Sequence, residues 1–207
     1  MSATGRGTER RESDFYATPS WTVRRLLEAP IVARLMGRKR GLILDPCAGD
    51  GALIRAARSV LPGYTFSAIE LREDMRQPLS QAMQAGESLA IANYLETDTE
   101  ADYIITNPPY SLAQEFIVKA RHDASCVFML ARLNFLASKL RYSFWKEHRP
   151  WGVFVLPNRP SFDDRKPGKT DATEYCWMAF NGASDITPVC SELHILGLTN
   201  NEERSLG

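Results

Sequence analysis

The stretch Leu42-Ile-Leu-Asp45-Pro46-Cys-Ala-Gly49-Asp-Gly51 decides the fold. Its first residues are a short apolar run that stops at an acid, the mark of a buried strand ending at Asp45. Pro46 and the two glycines then let the chain turn sharply, and Ala52 to Leu61 reads as a helix. Downstream, Tyr64-Thr-Phe-Ser-Ala-Ile69 repeats the pattern, a strand that runs into an acid, Glu70.

Working outward, the alternation continues. Residues 74–86 are polar and helix-friendly, and Leu89-Ala-Ile-Ala92 and Tyr103-Ile-Ile-Thr106 read as strands, the second ending at Asn107. Ser111 to Arg121 reads as a helix with Ser111 as N-cap. Cys126 to Leu130 is a buried-looking strand, and Ala137 to His148 a basic, aromatic helix. Residues 152–156 and 175–180 are two more strands, and 194–198 is a further candidate. Short continuous apolar strands separated by helices predict a mainly parallel sheet with helices on both faces. No helix pattern separates 152–156 from 175–180, so those two are expected to pair antiparallel. Their connection, 157–174, is longer than the ~12–15 residues usual in compact domains, which points to a functional loop. It carries one conspicuous aromatic, Phe162.

The chain has 207 residues, 44% hydrophobic and 24% charged, as expected of one globular domain. We expect a flexible leader over 1–13, a single domain over 14–198 and a tail over 199–207. Thirteen Gly and twelve Pro exclude collagen-like and low-complexity classes. No apolar run approaches the ~18–20 residues of a membrane span. The polar N-terminus carries no secretory pattern. The four cysteines lack CxxC or CxxH spacing and read as reduced thiols of a cytosol. With isolated histidines, they give no metal site. Net charge is zero but unevenly spread: residues 1–40 sum to +5, 41–120 to −6 and 121–170 to +6. Two basic segments converging on one face would meet phosphates.

Two constellations carry chemistry. Glycines 49 and 51 let a ligand approach the backbone, and Glu70 stands where nucleotide folds hold ribose hydroxyls. Neither GxGxxG nor a Gly-Lys-Ser/Thr follows, so the site suits a nucleoside without a pyrophosphate. The second is Asn107-Pro108-Pro109-Tyr110, directly after a strand. Its prolines stiffen the turn. The Asn107 side chain and the backbone carbonyls form a rigid set of acceptors beside an aromatic ring. Such a set suits a planar amine on a heterocycle: accepting both N–H bonds frees lone-pair density on the nitrogen and stabilises its developing charge.

Phe15-Tyr-Ala-Thr-Pro19, Asp45-Pro-Cys-Ala-Gly49-Asp-Gly51 and Asn107-Pro-Pro-Tyr110, in that order, resemble the S-adenosylmethionine-dependent DNA adenine-N6 methyltransferases. The likeness covers residues 14–181. It implies a Rossmann-like, seven-stranded class I methyltransferase sheet with an antiparallel final strand. It also implies S-adenosylmethionine as cofactor and DNA, with the adenine flipped out, as partner. By that resemblance Tyr16, Thr18 and Pro19 close over the methionine end of the cofactor. Asp45, Gly49 and Gly51 line its amino-acid and sulfonium region, Glu70 binds the ribose, and Asn93 and Tyr94 meet its adenine. Asn93 departs from the family's acid, although an amide oxygen can still accept the bond. Asn107, Pro108, Pro109 and Tyr110 hold the target adenine. Asn158-Arg-Pro-Ser-Phe162 resembles the late motif whose aromatic stacks on the extruded base.

The length is expected to leave almost no room for a separate target-recognition domain. Recognition is therefore expected from the leader, the helix 137–148 with Lys139 and Arg141, and the loop 157–174. Arg159, Arg165, Lys166 and Lys169 of that loop are expected on phosphates. Phe135, Tyr142, Phe144 and Trp145 read mostly as core, as do Trp21, Trp151, Met129 and Met178. Two rivals stay open: an RNA or protein-glutamine amino-methyltransferase, and an inactive nucleic-acid-binding subunit with the same fold.

Overall fold

The computed structural model describes residues 17–37, 40–162, 172–183 and 191–197. The expected leader and tail, Tyr16, and the loop cations Arg165, Lys166 and Lys169 lie outside the described residues.

Helices α1 (Ser20–Glu28) and α2 (Pro30–Met36) precede strand β1 (Leu42–Asp45). Then come α3 (Ala52–Val60), β2 (Thr65–Glu70), α4 (Arg76–Ser80), β3 (Ser88–Ile91), β4 (Ala101–Thr106), α5 (Ala113–Asp123) and β5 (Ala124–Arg132). The chain continues with α6 (Tyr142–Glu147), β6 (Gly152–Val155), β7 (Tyr175–Asn181) and β8 (Glu192–Ile195). The strands form one sheet in the order β3-β2-β1-β4-β5-β7-β6-β8. The first five in that row are mutually parallel. β7 runs antiparallel to both β5 and β6, and β8 is parallel to β6. The expected β6–β7 pairing is present. The sheet has eight described strands rather than seven, because 192–195 adds an edge strand beside β6.

Side chains alternate across the sheet, as the pleat requires. Ile43, Phe66, Ile105, Phe128 and Trp177 pack on one face under Val23, Leu26 and Leu27 of α1 and Leu53 and Ile54 of α3. Leu44, Ile104, Val127, Met129 and Met178 face the other way, against Phe116, Ile117 and Ala120 of α5. Helices therefore cover both faces. The strands are apolar on both sides for that reason. Trp21 and Trp151 pack partly buried against the first face. No described helix is long and apolar enough to cross a membrane.

Four local features differ from the sequence reading. Helices α1 and α2 stand where no element was marked; Val23, Leu26 and Leu27 at helical spacing and Pro30 at the first turn of α2 are their signals. Ser111 does not cap α5. The Pro109 carbonyl takes the Leu112 N–H at 2.9 Å, so Tyr110–Leu112 winds first as a 3₁₀ turn and α5 begins at Ala113. The helix expected over 74–86 shrinks to α4. Past Ser80 the bonds tighten to i→i−3, and the half-hidden Glu87 carboxylate draws the Gln84 N–H (2.8 Å) and the Phe66 N–H (3.1 Å) toward β2. The helix expected over 137–148 breaks into a 3₁₀ turn, Lys139–Arg141, capped by the Ser138 hydroxyl, and the short α6. Phe135, Phe144 and Trp145 pack on the core as expected, whereas Tyr142 stays exposed.

Candidate active site

The parallel strands all end on one side of the sheet, where ligand crevices form in such folds. Residues at and just beyond the ends of β1, β2, β3, β4 and β5 line a cavity of about 860 Å³. Asp45, Gly49, Glu70, Asn93, Tyr94, Asn107, Pro108, Pro109 and Tyr110 line it, together with Thr18 from ahead of α1 and Arg141 from the 3₁₀ turn. Residues from three sequence motifs, from Thr18 to Tyr110, therefore meet at one opening.

Asp45 is 1% exposed. Its Oδ1 accepts the Cys47 N–H at 3.1 Å, while Oδ2 has no hydrogen-bond partner among the described residues. Loss of water on burial pushes its carboxyl up to about 7. The neighbouring Glu70 charge adds to the rise; the Cys47 N–H and the Thr106 hydroxyl, which lies close but outside bonding geometry, oppose it. Burial likewise pushes the Cys47 thiol well up, with Asp45 and Glu70 adding to the effect.

Glu70 clamps the turn. Its Oε2 accepts the Gly49 N–H at 2.7 Å, and its Oε1 accepts the Arg72 N–H at 3.0 Å with the Arg72 guanidinium 3.5 Å away. Gly49 and Gly51 have φ of 54° and 82°, the left-handed region that side chains disfavour. A Cβ on Gly51 would stand 2.4 Å from the Ala82 Cβ. Gly51 thus seats the turn against the α4 segment and is not itself part of the cavity lining.

The Asn93 Oδ1 accepts the Leu95 N–H at 3.2 Å and its Nδ2 donates to Glu96 at 2.7 Å. Tyr94 is 2% exposed, tilted on Phe116 with centroids 5.3 Å apart, and forms the floor under β3's end.

Asn107 follows β4 directly. Its Nδ2 donates to the Thr18 hydroxyl at 3.2 Å, which leaves its buried Oδ1 without a hydrogen-bond partner among the described residues. The Tyr110 ring lies 5.9 Å from Tyr175 and carries the Arg132 guanidinium 4.8 Å above it. Phe162 packs edge-on against Tyr175 at 5.1 Å, so it joins the far end of this aromatic row rather than the cavity lining. Pro19 lines a smaller adjoining pocket of about 370 Å³ with Thr18. Arg159 is held by Glu174 at 2.6 Å on the surface, and Lys139 is exposed. Arg141 sits 4.5 Å over the Phe135 ring.

Among the polar lining residues, Arg72, Arg132 and Asn134 escaped the sequence reading, and Phe135, read there as core, lines the cavity as well. The signal for Arg132 was available, since a charged residue closing a long apolar parallel strand stands at the ligand edge of the sheet. Arg72 sits in a loop and Asn134 and Phe135 in the 3₁₀ turn Leu133–Leu136, neither of which periodicity addresses.

No protein-family model and no curated sequence matches the chain. Solved structures do. A protein from Pyrococcus horikoshii assigned as an RNA methyltransferase superposes with a TM-score of 0.66 at 18% identity, over 82% of this chain and 88% of its own. The M protein of the type I restriction enzyme EcoKI gives 0.57 at 15% identity, over 80% of this chain and 43% of its own. Magnesium protoporphyrin IX methyltransferase from Synechocystis PCC 6803, solved with bound SAH, gives 0.53 at 13% identity, over 77% of this chain and 81% of its own. In fold, this chain is a Rossmann-like α/β protein of the kind on which these methyltransferases are built.

Proposed function

We propose that the protein transfers the methyl group of S-adenosylmethionine to the exocyclic N6 amine of adenine in DNA. The observation that carries this reading is the buried, unpartnered Oδ1 of Asn107, held in the same cavity as Asp45 and Glu70. An orphaned acceptor of this kind costs ~1–3 kcal/mol to leave unmade, so the site favours a ligand that donates.

The acceptor set fits the cofactor. S-adenosylmethionine, when bound, supplies a methyl group on a cationic sulfonium. The partnerless Oδ2 of Asp45 answers a cation. Each Glu70 oxygen keeps a lone pair after its backbone bond, which suits two vicinal hydroxyls. Asn93 can accept from an adenine amine through the second lone pair of Oδ1. Thr18 and Pro19 cover the methionine end. The Thr18–Asn107 bond joins that cover to the acceptor site.

At the target base, Asn107 Oδ1 and the Pro108 carbonyl accept the two N6–H bonds, and Tyr110 stacks on the ring. The amine nitrogen bonds the methyl carbon as its S–C bond breaks, the sulfur leaves as a neutral thioether, and one N6 proton passes to water. Because N6 is engaged in pairing, the base must leave the duplex. Phe162, at the end of the Tyr110–Tyr175 row, receives it on the loop side. Lys139, Arg141 and Arg159 meet phosphates, Arg159 by exchanging Glu174. The DNA motif order and the likeness to the EcoKI M protein support DNA, while the likeness to the Pyrococcus horikoshii protein favours RNA as the rival acceptor.

The test supplies methyl-labelled cofactor with DNA, RNA and protein acceptors in competition. Label is expected in N6-methyladenine of DNA. Label confined to RNA or protein overturns the substrate; no transfer with intact cofactor binding makes the chain an inactive binder.

A further inference from the structure

Seven large apolar side chains stand exposed among the described residues. Three of them, Val118 on α5 and Leu193 and Ile195 on β8, are not in the lining of the cavity; the other four stand in that lining or next to a residue of it. Leu71 and Leu112 line the cavity, and Leu140 and Tyr142 flank Arg141, which also lines it. Leu140 is 94% exposed and Tyr142 64%. Single exposed leucines need no explanation, but four apolar groups around one mouth mark a contact surface.

The turn that carries Leu140 is held from below. Ser138 caps it through the Leu140 N–H at 3.1 Å. The Arg141 guanidinium donates to the Phe135 and Ala137 carbonyls at 3.3 and 3.4 Å while resting on the Phe135 ring. Leu140 is therefore presented on a stiff support, one residue from the cavity wall, and has no contact of its own to make. Lys139 and Arg141 are its chain neighbours, Lys146 lies 5.0 Å over the Tyr142 ring, and Glu147 is the single acid between residues 133 and 150. A basic collar around an apolar tip matches a stacked, polyanionic partner better than a protein face, whose basic contacts would need acids.

We propose that Leu140 is a wedge that enters the base stack of duplex DNA and fills the gap beside the extruded adenine, with Tyr142 packed behind it. The proposal rests on the function given above and extends it: the preferred substrate is duplex, since a single strand offers no gap to fill. Burying a leucine side chain corresponds to about tenfold to a hundredfold in equilibrium.

The test compares wild type, Leu140→Ala and Leu140→Met on DNA fragments that the wild type methylates, presented as duplex and as separated strands. Leu140→Ala is expected to lower kcat/KM on duplex about tenfold or more and to change the single-strand value less than about threefold. Leu140→Met should restore the duplex rate. Equal losses on both forms, or no loss on duplex, overturns the wedge and leaves DNA methylation standing. A wild type active on single strands alone also overturns it. A wild type that methylates no DNA removes the underlying function, and the wedge with it.

Discussion

The Glu70 carboxylate, at the end of β2, accepts the Gly49 N–H of the loop after β1 at 2.7 Å. Two neighbouring strand ends are thereby locked by one side chain, and the left-handed turn at Gly49 is held open toward the cavity. Glu70 has two tasks in consequence: it shapes the loop and it offers acceptors to a ligand.

Glu70→Ala should therefore weaken S-adenosylmethionine binding roughly ten- to over a hundredfold, from loss of a charged partner of ~1.5–3 kcal/mol. It should also lower thermal stability without ligand, because the Gly49 and Arg72 N–H groups lose their acceptor. Calorimetric titration beside a melting curve separates the two. Unchanged cofactor affinity would remove Glu70 from the binding site.

Asn107→Ala should cost about 10²–10³ in turnover while cofactor affinity stays within a few-fold. The amide is tied to Thr18, not to the cofactor-loop acids. Near-normal turnover on saturating substrate would contradict its assignment to the acceptor amine.

Asp45 makes a pH prediction. Burial raises its folded pKa from the ordinary 3.8 to about 7. Between those values the unfolded chain has released this proton and the folded one keeps it, so its contribution to stability falls as pH rises and levels off above 7. Asp45→Asn keeps an acceptor for the Cys47 N–H and removes the charge. The variant should match wild type near pH 4 and exceed it at pH 8, by up to ~4 kcal/mol from the linkage. Wild-type affinity for the cationic cofactor should rise from pH 6 to 7.5 and then flatten, whereas the variant's should be weak and pH-independent. Parallel stability curves for the two proteins would refute the burial argument.

Phe162→Ala should reduce the fluorescence rise of 2-aminopurine placed at the target position, and Phe162→Trp should largely keep it, since base–aromatic stacking is worth ~1–3 kcal/mol. Because Phe162 also braces Tyr175, melting curves must accompany the assay. A wild-type fluorescence change at wild-type affinity leaves Phe162 as a brace alone.

The parallel half of the fold was legible because its strands are short apolar runs, each stopped by a polar residue: Asp45, Glu70 and Asn107 are both the stop signals and the candidate site. Chain periodicity carries that information locally. It does not carry strand order, so nothing in 152–156 or 175–180 told that β7 would insert between β5 and β6. Nor does it reach contacts such as Arg132 on Tyr110 or Arg141 on Phe135, where the partner is fixed by folding at a distance or by a 3₁₀ turn rather than by helical spacing. The broken helix at 137–148 shows the same limit: Ser138 captures the Leu140 N–H, and a local cap wins over an apolar pattern.

The insertion of β7 sets an order on synthesis. β5 ends at residue 132, yet its outer neighbour is not made until residue 175, after β6 has already emerged. Until then the apolar strand Cys126-Val-Phe-Met-Leu130 exposes a bare row of N–H and C=O groups, or pairs wrongly with β6. A chain halted before residue 172 should for that reason cling to its own kind through this edge. Refolding of the whole protein should be paced by closure of the sheet's middle, with Trp177 reaching back 155 positions to the Thr22 carbonyl as the latch.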